Sequence, residues 1–361
     1  MGSESVADEL NVTWTWPFGK GDLTAGLRRS LGDLSLQVTE VRPITIARRR
    51  PSIGVLRGLQ VNYIGQNGEG SCQLVVKEPR GTTRTGLAGA GKREVGVYQF
   101  LSTQLPLFIP TLIAASPSGD WLLLEAVPPI REASVWNRND YLKAIDSLAQ
   151  LHDRFWNLGE DLNAYPWLSR PLTADFDVHA KAAVHAIDKI QFNSTSESSI
   201  RSPRQIEVLR SLAENAEVVT RPLLREPSTL LHGDYWPGNI SVMKDGSQIV
   251  YDWQLTAIGP AVLDLMVFIK KSLWWFDSIP MTEDEIVQYY RERLQLKSEI
   301  SWEQDRWDEI WDHALMWRFL QEWVDILAAS PEPILTARED QLEEVWLEPV
   351  VVAAKRRLNG E

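Results

Sequence analysis

The segment Leu230-Leu231-His232-Gly233-Asp234-Tyr235-Trp236-Pro237-Gly238-Asn239-Ile240 sets an aspartate five residues ahead of an asparagine. That spacing suits phosphoryl transfer to a hydroxyl. The carboxylate takes the hydroxyl proton, and the asparagine helps hold a divalent cation on the phosphates. Pro237 and Gly238 bend the backbone between them, so both side chains can face one cleft. The runs Ile240 to Met243 and Gln248 to Tyr251 flank Asp245-Gly246 and predict a hairpin. Asp252 follows at the end of its second strand. A carboxylate there reaches the same metal, bound by nucleotide phosphates, so Asn239 and Asp252 can share one ion.

The same chemistry needs a lysine on the phosphates and an acid to position it. Lys77 ends the apolar run Leu74-Val75-Val76, and Glu94 lies in the first turn of a helix predicted near 92–104. They are expected to form an ion pair. Lys92 and Arg93 are poor rivals for the lysine, because they sit beyond a Gly- and Thr-rich stretch, Arg80 to Gly91. A loop from Arg48 to Gly54 is expected to cover the nucleotide, with Ser52 and the Gly54 amide cradling phosphates. Glu125 and Val127 are expected to meet the base through backbone hydrogen bonds, with Leu122 to Leu124 as apolar walls.

The elements that must position these groups change character along the chain. Leu34 to Ile46, Val55 to Ile64 and Cys72 to Val76 read as strands of an antiparallel meander, with a turn at Gln66-Asn67-Gly68-Glu69-Gly70. Trp121 to Val127 reads as a buried strand, and Pro128-Pro129 then breaks the chain. Beyond it, helical spacing dominates: Asn139 to Phe155 with Asn139 or Asp140 as cap, Asp175 to Ile190, Pro203 to Val219, and Trp302 to Leu327. The fold class is α+β, with an N-terminal lobe over 1–127 and a C-terminal lobe over 128–361.

Three features in order resemble the aminoglycoside phosphotransferase and choline kinase family: His232-Gly233-Asp234 with Asn239, then Tyr251-Asp252-Trp253, then Gly259-Pro260 with Asp264-Leu265. The helix around Arg93-Glu94-Val95 and the Leu148-Ala149-Gln150-Leu151-His152 segment also resemble that family. The resemblance implies a protein-kinase-like bilobal fold, with a small lobe of antiparallel sheet plus one helix and a large, mainly helical lobe. It implies ATP between the lobes, Asp234 as catalytic base, and Asn239 and Asp252 as Mg2+ ligands. His232 and Asp264 would be structural supports. The implied reaction transfers a phosphoryl group to a small molecule: a sugar, amino sugar, aminoglycoside or amino alcohol. The alternative is a catalytically silent nucleotide-binding protein of the same fold.

Composition narrows the partners. The formal net charge is −12 across 361 residues, against a nucleic-acid footprint. No apolar run is long enough for a membrane span. One cysteine, Cys72, leaves no internal disulfide and fits a reducing cytoplasm. A monomer or homodimer is expected. The 16 tryptophans include many in the last hundred residues. There Asp308, Trp311 and Asp312, with Trp275, are the expected acceptor-binding residues, the carboxylates holding ammonium groups and the rings stacking on sugars or cations.

Overall fold

A computed structural model describes residues 14–46, 54–79, 88–192, 203–298 and 300–358. Ser52 and most of the loop expected to cover the nucleotide, 48–53, lie outside the described residues.

Five antiparallel strands form one sheet in the order β1-β2-β3-β5-β4: β1 Gln37–Ile44, β2 Val55–Gly65, β3 Gly68–Glu78, β4 Leu112–Ala115 and β5 Leu122–Glu125. Alternation divides its faces. Leu59 and Val61 on β2, Leu74 and Val76 on β3, and Leu123 on β5 form one apolar layer with Leu23 and Leu27 of helix α1, Lys20–Leu31. Lys77 follows Val76 and therefore points to the other face, as do Leu122 and Leu124, which join the main core.

Neither α1 nor β4 is evident in the sequence. Two glycines weaken the helix propensity of α1. Gly26 is what lets α1 lie on β4, because a Cβ there would come 2.2 Å from the Ile113 carbonyl oxygen. That contact joins residues far apart in the chain, so local pattern does not reveal it.

Helix α2, Ala90–Gly96, continues as a wider π turn over Val97–Leu101 and carries Glu94 across the inner face of the sheet. After β5 the chain becomes mainly helical. Helix α3, Arg138–Arg154, begins one residue earlier than the sequence suggests. Its cap is Asn137, whose side chain accepts from the Asp140 amide at 3.1 Å while Asp140 accepts from the Asn137 amide at 3.0 Å. Two small antiparallel pairs then form the floor of the cleft: β6 Ser228–Leu231 with β9 Ala257–Pro260, and β7 Ile240–Val242 with β8 Gln248–Val250. The second pair is the expected hairpin. Helix Val262–Trp275 runs behind the floor and is buried along nearly its whole length. Helix Gln304–Arg318 continues through Phe319–Trp323 into Val324–Ala329. Trp253, Trp317 and Trp346 are fully buried, so much of the unusual tryptophan content is core.

Candidate active site

The loop after β6 is held by a single carboxylate. Asp264, near the start of the helix behind the floor, accepts the His232 amide at 2.7 Å and the Gly233 amide at 2.8 Å. His152 reaches the same carboxylate through Nε2 at 3.3 Å, and its Nδ1 meets the Tyr290 hydroxyl at 2.6 Å. Burial works against the charge on Asp264, but these donors hold its pKa below the usual carboxylate value. Gly233 has φ of 81°, and a Cβ there would come 2.0 Å from the Leu255 carbonyl oxygen. Only glycine fits that crossing. His232 accepts the Asp234 amide on Nδ1 at 3.2 Å and donates from Nε2 to the Tyr251 carbonyl at 3.1 Å. It thereby ties the loop to the strand end that carries Asp252. Burial pushes its pKa down to about 4, so it is a neutral brace.

Asn239 donates through Nδ2 to both the backbone carbonyl and Oδ2 of Asp234, each at 2.9 Å. That fixes the aspartate and turns the amide oxygen of Asn239 away from it. The Asn239 carbonyl accepts the Tyr251 amide at 3.0 Å, which places the hairpin end beside the loop. Asp252 itself sits at φ of 69°, a left-handed conformation uncommon for aspartate. Its carboxylate pairs with Lys77, and Lys77 lies 2.6 Å from Glu94. Lys77 and Glu94 therefore form the expected pair, with Asp252 as a third member. Desolvation opposes the charge on Lys77, but the two carboxylates outweigh it and raise its pKa. One cation serves two carboxylates here, so burial pushes the fully enclosed Glu94 up to about 7.

A second basic residue, not anticipated from the sequence, stands at Asp234. Lys271 Nζ lies 2.5 Å from Asp234 Oδ1 and 2.9 Å from Glu322 Oε1. Arg318 bonds the other oxygen of Glu322 at 2.9 Å and the Gly233 carbonyl at 3.2 Å. All four residues are at most 8 % exposed. Burial, with help from Glu322, pushes Asp234 up to about 6, while Lys271 pulls the other way. A signal for Lys271 was available. Lys270 and Lys271 end the apolar run Leu265 to Ile269, and Lys271 lies seven residues after Asp264, on the same helical face.

A cavity opens at this network. Its lining includes Asp234, Lys271, Arg318, Glu322, Arg93 and His179. The expected acceptor residues are not among its walls. Asp308 is exposed and accepts from Gln304 at 2.7 Å. Trp311 stacks on Trp307 at 6.0 Å between ring centroids. Asp312 is paired with Arg357 at 2.8 Å and Arg356 at 3.1 Å. Trp275 stacks on Trp236 of the Asp234 loop at 6.2 Å but stays outside the lining. Of helix Gln304–Arg318 only Arg318 lines this cavity, and Asp308, Trp311 and Asp312 lie away from it on that helix.

On the sheet side, Glu125 is exposed and accepts the Thr111 hydroxyl at 2.8 Å, while the Val127 carbonyl accepts the Ser241 hydroxyl at 2.6 Å. Gly54 packs closely on the end of β3, where a Cβ would come 2.5 Å from the Glu78 carbonyl oxygen. Among the described residues, no group of three His, Cys, Asp or Glu side chains could hold a metal by itself.

A five-stranded lobe with a lysine–glutamate pair, set over a helical lobe with a braced aspartate loop, defines a phosphotransferase of kinase-like fold. The chain belongs to the phosphotransferase enzyme family, whose model matches residues 59–309. Among solved structures, it is similar to an ethanolamine kinase of Plasmodium vivax, with a TM-score of 0.54 and 12% identity, over 86% of this chain and 82% of that one. It is also similar to the streptomycin–ATP complex of the aminoglycoside phosphotransferase APH(2'')-IIa, with a TM-score of 0.50 and 15% identity, over 90% of this chain and 96% of that one. A third is the amicoumacin kinase hAmiN bound to AMP-PNP and Ca2+, with a TM-score of 0.50 and 13% identity, over 90% of this chain and 92% of that one. No protein of curated function matches the sequence.

Proposed function

We propose that the chain transfers the γ-phosphoryl group of ATP to a hydroxyl of a small molecule, with the nucleotide between the lobe of residues 1–127 and the lobe of 128–361. The observation that carries this reading is the convergence of Asp234, Asn239, Asp252, Lys77 and Glu94 through direct contacts.

Asp234 is the base. Asn239 occupies one of its oxygens and Lys271 the other, but each carboxylate oxygen has two acceptor sites, so room for a hydroxyl remains. In the transfer, the acceptor oxygen bonds the γ-phosphorus and the bond to the β,γ-bridging oxygen breaks. ADP leaves with that electron pair, and the hydroxyl proton passes to Asp234. Lys77, steadied by Glu94, would meet the α and β phosphates, and the Glu125 to Val127 backbone would meet the base.

The donor set fits Mg2+. A carboxylate on Asp252 and an amide oxygen on Asn239 are hard oxygens, and this ion is commonly held by one or two carboxylates plus substrate phosphates rather than by a complete protein cage. When bound, it would neutralise charge on the phosphate oxygens.

The test is ADP release from ATP and Mg2+ against a panel of sugars, amino sugars, aminoglycosides, amino alcohols and hydroxy acids, with Asp234→Ala alongside. Acceptor-dependent turnover that vanishes in the variant, while ATP binding persists, supports the assignment. Equal turnover in both proteins removes Asp234 as the base.

A further inference from the structure

The cavity beside Asp234 is lined by three cations, Arg93, Lys271 and Arg318. Most of its carboxylates are already engaged. Asp264 serves two backbone amides, Asp234 is bonded to Lys271, and Glu322 is bonded to Lys271 and Arg318. Partly exposed Asp325 completes the acidic lining.

Arg93 is answered differently. The residue is 7 % exposed. It donates through Nε to the Gln254 carbonyl and through Nη1 to the Ala88 carbonyl, both at 2.8 Å. Among the described residues, no carboxylate lies within ion-pair distance of it. Asp175 acts on its charge only from farther off, and Oδ2 of Asp175 accepts the Ser169 hydroxyl and the Arg170 amide, each at 2.7 Å. A buried guanidinium with carbonyls alone for direct partners is costly until an anion joins it.

His179 also lines the cavity and is 6 % exposed. Its ring meets the edge of Trp317 and has no hydrogen-bond partner among the described residues. A neutral imidazole so placed can donate to or accept from a hydroxyl. An acceptor rich in ammonium groups would instead face three cations whose nearby carboxylates are mostly taken.

On the kinase reading above, we propose that the acceptor is a compact polyol bearing one carboxylate. The carboxylate sits on Arg93, one hydroxyl on His179, and the reacting hydroxyl on Asp234. Its oxygen bonds the γ-phosphorus of ATP, ADP leaves with the electrons of the broken bond, and Asp234 takes the proton. This narrows the acceptor away from the amines that the acidic, tryptophan-rich sequence suggested.

The experiment uses the full chain with ATP and Mg2+. Two hydroxy acids, D-glycerate and D-gluconate, are set against neutral D-glucose and cationic D-glucosamine, with products identified by phosphorus NMR. At least one acid should exceed both other probes in kcat/KM by about tenfold to a hundredfold, the range for hydrogen bonds to a charged group. Arg93→Gln should erase that preference. If that variant does not fold, the wild-type preference among the probes decides alone. Preference for D-glucosamine, or equal use of all probes, overturns the carboxylate assignment and leaves the kinase reading standing. If nothing turns over, calorimetric titration of the acids into ADP-bound protein decides: binding that D-glucosamine does not match supports the proposal, and no binding overturns it. Failure to bind either ATP or ADP overturns the kinase reading itself.

Discussion

Lys271 stands 2.5 Å from Asp234, two helical turns beyond the Asp264 that braces the same loop from behind. One helix thus supplies both the support of the Asp234 loop and a cation at the Asp234 carboxylate. Its seven-residue spacing makes the two roles possible, because positions seven apart share a face.

Lys271→Met should lower kcat by about a hundredfold, on the scale of removing one preorganised charged donor from an active site. Lys271→Arg should recover part of the loss, because Glu322 and Asp234 keep a cation between them. Steady-state kinetics on both variants provides the check. Unchanged kcat in Lys271→Met would assign the lysine to packing alone.

Lys77→Met removes the only cation bonded to Glu94 and Asp252 among the described residues. Two neighbouring carboxylates are then left together, one of them fully buried. A loss of about 3–5 kcal/mol is expected, the cost of breaking a buried pair from one side. ATP affinity should fall as well. Urea unfolding and calorimetric ATP titration measure the two effects separately.

Gly233→Ala places a Cβ where the Leu255 carbonyl already lies, in a backbone conformation with φ of 81°. The loop must move, and with it Asp234. Destabilisation of about 3 kcal/mol or more is expected from the clash and strain together. It is read as a lowered melting temperature, accompanied by lost turnover.

His179 gives the fold a defined response to acid. Burial pushes its pKa from the ordinary 6.5 to about 4, so the unfolded chain binds its proton first as pH falls. The native state therefore loses stability from about pH 6.5 downward, until His179 itself protonates near pH 4. At pH 5 the loss from this one side chain is about 2 kcal/mol relative to pH 7. His179→Gln should flatten that part of the stability profile, as measured by urea unfolding at both pH values. An unchanged slope would show that His179 is not the source.

The sequence by itself determined the parts whose partners lie close along the chain or repeat a local pattern. The Asp234 loop, the β7–β8 hairpin, the three strands of the meander and the helix after Asn137 all depend on spacing of a few residues and on turn chemistry, although the cap of that helix is Asn137 and not Asn139 or Asp140. Lys77 and Glu94 were legible because a strand-end lysine and a helix acid are both required by phosphate binding. Only the tertiary structure decided what lines the cavity beside Asp234. Arg93, His179, Lys271 and Glu322 come from four separate helical segments, and no local period marks the direction each one takes. The same limit is why Asp308, Trp311 and Asp312, singled out from the sequence, lie outside the lining of this cavity. Charge and aromatic content show that a helix has distinct faces, but which face meets the cavity is set by the helices packed around it.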